Sequence, residues 1–307
     1  MKEQASVNSL GEALEDLDRR LDAEAQAYSR TLIADFRARD WRRSIRRLHD
    51  QACMFPWQSH LQQLNADLRR NGEYRLCTPK PDLWPAWFNG NIEKIEPGRW
   101  ILFVSLNPQL PGPEMDGLAR TSDAWWKFWL THNRDHWNST FFPRPTRVAS
   151  MALGEELSDA ELRTFATDRM IYVEVCPYAS SSFDLSHDEM TWLAREDIGF
   201  LIGHQILGLL LEGAPAAILV NGKAAFEFFD DAWHDRLRCS EWLRYPSVEK
   251  PKKNLRHREG CLAANTKDVP VFEFPFLGKQ MTHNSGPEVR QLGEFIRSAL
   301  LENRWKV

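Results

Sequence analysis

The chain has 307 residues, 43% hydrophobic and 27% charged, enough apolar material for one large domain or two ordinary ones. A formal net charge of −4 excludes a globally basic surface, so any nucleic-acid site must be local. With no secretory hydrophobic region, no bilayer-length apolar stretch and no C-x-x-C pair among five cysteines, the expectation is a cytoplasmic protein with reduced thiols, no membrane, no cofactor and no metal.

The first predicted element is helical. Ser9 and Glu12 have capping-box spacing, and Leu10, Leu14, Leu17 and Leu21 come after them at helical intervals. Helical patterning continues, with interruptions, to Arg70, where Asn71-Gly72 ends it. Within it Arg37, Arg39, Arg42, Arg43, Arg46 and Arg47 read either as a solvated helix face or as a phosphate-contacting one. Residues 1–77 are therefore assigned to a helical N-terminal extension that packs on the α/β domain. Residues 78–98, with Pro79, Pro81, Pro85 and Pro97, are assigned to a connector, and residues 99–307 to that one α/β domain.

Four strands are expected in the domain. The first, 100–106, is a short apolar run that halts at Asn107-Pro108. Proline cannot donate to a ladder and biases Asn107 toward an extended backbone, so the strand must end there. The others are 170–175, ending at Cys176-Pro177; 217–220, ending at Asn221-Gly222; and 269–274, ending at Pro275. Helices are expected at 158–168, opening on a second capping box (Ser158, Glu161), at 197–211, and at 287–302. Trp125, Trp126 and Trp129 fit one buried helix face, whereas 138–147 holds too many turn residues for a helix and reads as a pocket wall. Strands alternating with helices imply a three-layer α/β/α fold around a central four-stranded parallel sheet. Open folds of this class bind ligands at the carboxyl edge of the sheet, where Asn107 falls. Neither a G-x-G-x-x-G nor a G-x-x-x-x-G-K-[ST] loop is present.

Glu174 is the anomaly. It interrupts IYVEVCPY, a run otherwise suited to a strand buried on both faces. A carboxylate is almost never buried unless it is paired or used, and desolvation favours its protonated, donating form. An ion pair with a nearby Arg or Lys is the structural alternative.

These strand ends resemble those of the uracil-DNA glycosylase superfamily, particularly its single-strand-selective and mismatch-specific branches. Ser105-Leu106-Asn107-Pro108-Gln109 keeps the Asn-Pro of that family's Gly-x-Asn-Pro-Gly but neither glycine. Glu174-Val175-Cys176-Pro177 matches Asn-Leu-Cys-Pro with Glu for Asn, and Ile218–Ala225 matches the third strand, its turn and an Ala-rich helix. His283-Asn284-Ser285-Gly286 stands where the family has His-Pro-Ser-Pro. The likeness spans about Trp100–Leu300.

The resemblance implies a monofunctional, metal-independent DNA N-glycosylase that flips its target base out of the stack. Asn107 would orient a water at the sugar C1′ or stabilise the cationic sugar, and His283 would hydrogen-bond the base carbonyl where charge develops. Glu174 and Ser105 would read the base, with Tyr178, Phe141 and Phe142 as stacking candidates. A carboxylate only accepts, which suits the N4 amine of cytosine, and a protonated one can also donate to cytosine N3. The expected substrate is thus a modified cytosine, such as a hydroxymethyl or glucosylated hydroxymethyl form in phage DNA, because excision of ordinary cytosine would destroy the host genome. Uracil excision in repair, a catalytically inactive DNA-binding member of the fold, and a nucleoside or nucleotide hydrolase are the alternatives.

DNA contact is assigned to a long basic loop, 236–267, through Lys250, Lys252, Lys253, Arg256 and Arg258, and to Arg144, Arg147, Lys223 and Ser285. DNA is the expected partner, and the helical extension is compatible with a protein-partner module as well.

Overall fold

A computed structural model describes residues 40–79, 83–106, 118–137, 141–181, 183–264, 267–277, 283 and 285–306. The helix expected at 9–21, Arg37, Arg39 and Asn107 lie outside them.

The described elements run in the order α1 (Trp41–Ala52), α2 (Trp57–Asp67), a 3-10 turn, β1 (Phe88–Asn89), β2 (Ile101–Ser105), α3 (Ser122–Asp135), α4 (Pro143–Ala152), α5 (Asp159–Asp168), β3 (Met170–Glu174) and α6 (His187–Glu196). They continue with α7 (Ile198–Glu212), β4 (Ala217–Asn221), α8 (Lys223–Trp233), β5 (Leu237–Cys239), β6 (Leu243–Pro246), β7 (Asn254–Ala263), β8 (Asp268–Phe274) and α9 (Gly286–Glu302). All four expected strands form, as β2, β3, β4 and β8. They lie side by side and parallel in the order β3-β2-β4-β8.

The sheet is larger than four strands. β1 pairs antiparallel with β3 on one side, while β7 pairs antiparallel with β8 on the other and carries β5 and β6 along its outer edge. The fold is therefore mixed α/β around a mixed sheet with a parallel centre. From β2 the chain steps outward to β3, then returns across β2 to place β4 and β8 on its other side. Chain direction across the sheet reverses there, which makes the boundary between β2 and β4 a topological switch point, the place where open sheets of this kind bind ligands.

Alternation along the strands divides the core. Leu102, Val104, Ile171, Val173, Ile218, Val220 and Val271 pack against α1, α2, α6, α7 and α8. Ile101, Phe103, Met170, Tyr172, Leu219, Phe272 and Phe274 pack against α4, α5 and α9. Helix α7 is apolar on nearly all sides because it lies between the sheet and α1. Capping boxes start α5 (Ser158, Glu161) and α6 (Ser186, Glu189), and Asp197 caps α7 through the Phe200 amide.

Three local expectations are corrected. Residues 83–92 are a largely buried part of the fold: they supply β1 and place Trp87, whose indole donates to the Gly199 carbonyl at 2.9 Å. The turn-rich stretch ending at Arg147 opens α4, since a proline is tolerated in the first helical turn, where amides have no intrahelical acceptor. The basic loop at 236–267 is largely the antiparallel ladder β5–β7. Helices α1 and α2 share the core cluster of β2 and β3 through Ile45, Leu48, Trp57 and Leu61. Arg42 is spent internally, donating to the carbonyls of Ile92 and Ile95 at 2.8 and 2.7 Å, and Arg46 pairs with Asp50 at 3.0 Å. Among the described residues no helix is long and apolar enough to cross a membrane.

Candidate functional site

Parallel register sets Ser105, the last residue of β2, beside Glu174, the last residue of β3. The Ser105 hydroxyl donates to Glu174 Oε2 at 2.7 Å, and both residues are buried. Among the described residues no Arg or Lys pairs with this carboxyl, and burial and the Ser105 hydrogen bond are what act on its charge. Burial pushes the Glu174 carboxyl up to about 7, with the Ser105 hydrogen bond pulling the other way. Near neutral pH this group therefore exists in both forms, as acceptor and as donor.

Strand alternation sends Ser105 and Glu174 to the same sheet face as Phe103 and Tyr172. Phe141 is half-buried there, its ring centroid 6.1 Å from Phe103 and 6.0 Å from Tyr172. Ser105 and Glu174 thus end their strands on the same face as Phe103 and Tyr172, the two rings that Phe141 packs on.

Other expected residues fall elsewhere. Tyr178 is fully buried and donates to Asp197 Oδ1 at 2.6 Å, with His60 on the other carboxylate oxygen at 2.7 Å. It belongs to the core that fixes the start of α7, so it is corrected from stacking candidate to structural residue. Phe142 is likewise core, packed edge-on against Tyr172 at 5.3 Å. An aromatic just past a strand or before a helix has the same sequence signature whether it faces the core or a cleft.

His283 is buried with its backbone in the left-handed region, and its Nε2 lies 2.8 Å from the Tyr245 hydroxyl. Burial depresses its pKa to about 4; Glu288 works against this, while His257 and Lys253 add to it. The imidazole is neutral at physiological pH, and its Nδ1 is buried without a partner among the described residues. Its neighbours belong to β6, β7 and α9, on the far flank of the sheet from β3, and no described contact joins it to Glu174. Tyr245 was not foreseen, because nothing in the sequence ties it to a histidine 38 positions away.

The basic residues divide similarly. Lys253 pairs with buried Glu288 at 2.7 Å, and Arg258 donates through Nε to buried Glu273 at 2.6 Å and pairs with Asp230. Both are corrected from phosphate contacts to internal ion pairs. Arg147 binds Asp159 at 2.8 Å, and Arg144 is half-buried. Ser285 caps α9, accepting from the Glu288 amide. Lys250, Lys252 and Arg256 remain exposed, Arg256 lying 4.8 Å over the Trp242 ring, and Lys223 is exposed beside Glu227.

Removing the Ser105 hydroxyl takes away the donor that stabilises the ionised carboxyl. Ser105→Ala is therefore expected to raise the Glu174 pKa above about 7. Carboxyl chemical shifts of labelled protein followed through a pH titration read this directly, and an unchanged midpoint rejects the assignment. No family model, curated protein or solved structure matches this chain.

Proposed function

We propose that this chain is a DNA glycosylase that hydrolyses the N-glycosidic bond of a flipped, modified cytosine and leaves an abasic site. The observation that carries the reading is the buried Ser105–Glu174 pair at the carboxyl edge of adjacent parallel strands, with a pKa of about 7 and no cationic partner among the described residues. The ordered strand ends that resemble uracil-DNA glycosylases, and the clustering of three of them along one edge of the sheet, support it.

As carboxylate, Glu174 accepts from the exocyclic amine of cytosine; as carboxylic acid, it also donates to N3. Phe141 offers an aromatic face to the extruded base, worth about 1–3 kcal/mol. Asn107 orients the water whose oxygen bonds to C1′ as the C1′–N1 bond breaks. The bonding pair leaves with the base, and the proton lost by water balances the base anion. An amide is a poor proton acceptor, so Asn107 contributes orientation and electrostatics. A neutral His283 can stabilise the developing charge only by donating a hydrogen bond. Its position among β6, β7 and α9 favours, as second reading, a DNA-binding member of the fold without catalysis.

The test uses matched single- and double-stranded DNA carrying uracil, cytosine, 5-hydroxymethylcytosine or its glucosylated form, with alkaline cleavage to reveal abasic sites. Cleavage confined to a cytosine derivative, lost in Asn107→Ala, is the expected result. Cleavage of uracil alone overturns the assignment of Glu174. Saturable binding without abasic product supports the second reading, and release of base from free nucleosides only makes the chain a nucleoside hydrolase.

A further inference from the structure

Asp230 on α8, Cys239 on β5 and Glu273 on β8 bring one ligand atom each to within 4.8 Å of one another. They come from three elements, and the ladder positions two of them: Cys239 pairs with Gly260 and Glu273 with Arg258, two residues apart on β7.

Arg258 is the described cation at this cluster, pairing with both carboxylates and acting electrostatically on Cys239 as well. Its Nε and Nη2 contact Glu273 Oε2, and Nη2 also contacts Asp230 Oδ2. The remaining oxygens, Glu273 Oε1 and Asp230 Oδ1, are buried and have no donor among the described residues, and the Glu273 residue has no exposed surface. Two undonated carboxylate oxygens beside a thiol are expensive to bury, and either a shared proton or a cation relieves them.

We propose that Asp230, Cys239 and Glu273 bind a divalent cation of the zinc class, which fastens the antiparallel flank of the sheet to α8. One thiolate with two carboxylates is a donor set for borderline metals; calcium and magnesium need more oxygens. A tetrahedral zinc ion sets its ligand atoms about 3.5 Å apart, so a contraction of about 1 Å closes the site. Charge balances as well: two carboxylates and a thiolate against Arg258 and a dication sum to zero. Asp230 and Cys239 are half-buried, which leaves access for the ion and a water as fourth ligand. The site lies on the β8 flank and is independent of the glycosylase reading.

The full chain, stripped with chelator, is equilibrated with zinc, dialysed and measured for metal per chain, then titrated with cobalt(II) for visible absorption. One zinc per chain and a thiolate-to-cobalt charge-transfer band are expected. Cys239→Ser is expected to lose the band and weaken zinc binding by about 100-fold, and Glu273→Gln to weaken it similarly. A chain that retains no zinc, a cobalt spectrum without the thiolate band, or zinc content in both variants equal to that of the unaltered chain overturns the site and leaves a proton shared between Asp230 and Glu273. The cobalt spectrum of the unaltered chain decides even if a variant fails to fold.

Discussion

Glu174→Gln is expected to stabilise the fold by about 3 kcal/mol at pH 8 and by almost nothing at pH 4, while weakening base recognition. The carboxyl moves from an ordinary 4.5 to about 7 on folding because burial penalises its charged form. A tenfold change in proton affinity is worth about 1.4 kcal/mol, which gives the figure of about 3. Below pH 4.5 the group is protonated whether the chain is folded or not, so it imposes no penalty. Between 4.5 and about 7 the unfolded chain ionises while the folded one holds its proton, and stability falls; above about 7 the loss is complete. Glutamine stays neutral throughout and still accepts from Ser105, so the variant does not follow that fall. Urea unfolding of both proteins at pH 4 and pH 8 measures the difference, and a constant gap between them would falsify the burial of an ionisable carboxyl. In the glycosylase reading the same variant cannot offer a carboxylate to the cytosine amine, and excision falls by about 10- to 100-fold. A residue whose replacement stabilises the protein but removes its activity is retained for chemistry, not for folding.

The parallel centre of the sheet was legible because β2, β3, β4 and β8 are apolar runs cut off by Asn-Pro, Cys-Pro, Asn-Gly and Pro. The helix α5 was legible from its capping box, and α7 and α9 from their apolar periodicity, whereas the caps Asp197 and Ser285 emerge only in the structure. The antiparallel flank was not. In β7, buried Leu255 and His257 alternate with exposed Arg256 and half-buried Arg258, and the charges obscured a strand that is solvated on one face. β1, two residues long, is too short for any periodicity to register. At the site, Glu174 stood out alone, because a carboxylate inside a buried run violates the pattern around it. Its partner Ser105 becomes visible only through the register of β2 on β3, a long-range property. Lys253 and Arg258 were misread for the same reason. Glu288 lies 35 residues from Lys253 in the chain, and Glu273 and Asp230 lie 15 and 28 residues from Arg258.

Arg258→Met is expected to destabilise the fold by about 3 kcal/mol and to leave the salt dependence of the proposed DNA binding unchanged. Methionine keeps much of the side-chain stem against Trp242, whose ring the guanidinium overlies at 5.5 Å. It removes the cation between Asp230 and buried Glu273, and a buried charge stripped of its partner is worth about 3–5 kcal/mol. The lower end applies because Asp230 is half-buried and keeps part of its hydration. Adding Glu273→Gln to Arg258→Met removes the stranded charge and should recover most of the loss, a coupling that a double-mutant cycle reads out. A phosphate-contacting residue behaves in the opposite way: it leaves stability untouched and lowers the salt slope by about 1. That second pattern is the expectation for exposed Lys250 and Lys252 in the proposed DNA-binding protein. If Arg258→Met kept full stability and lost salt dependence instead, the internal role of Arg258 would be wrong, and the ladder at 236–267 would bind phosphate through a residue that the ion pairs place in its core.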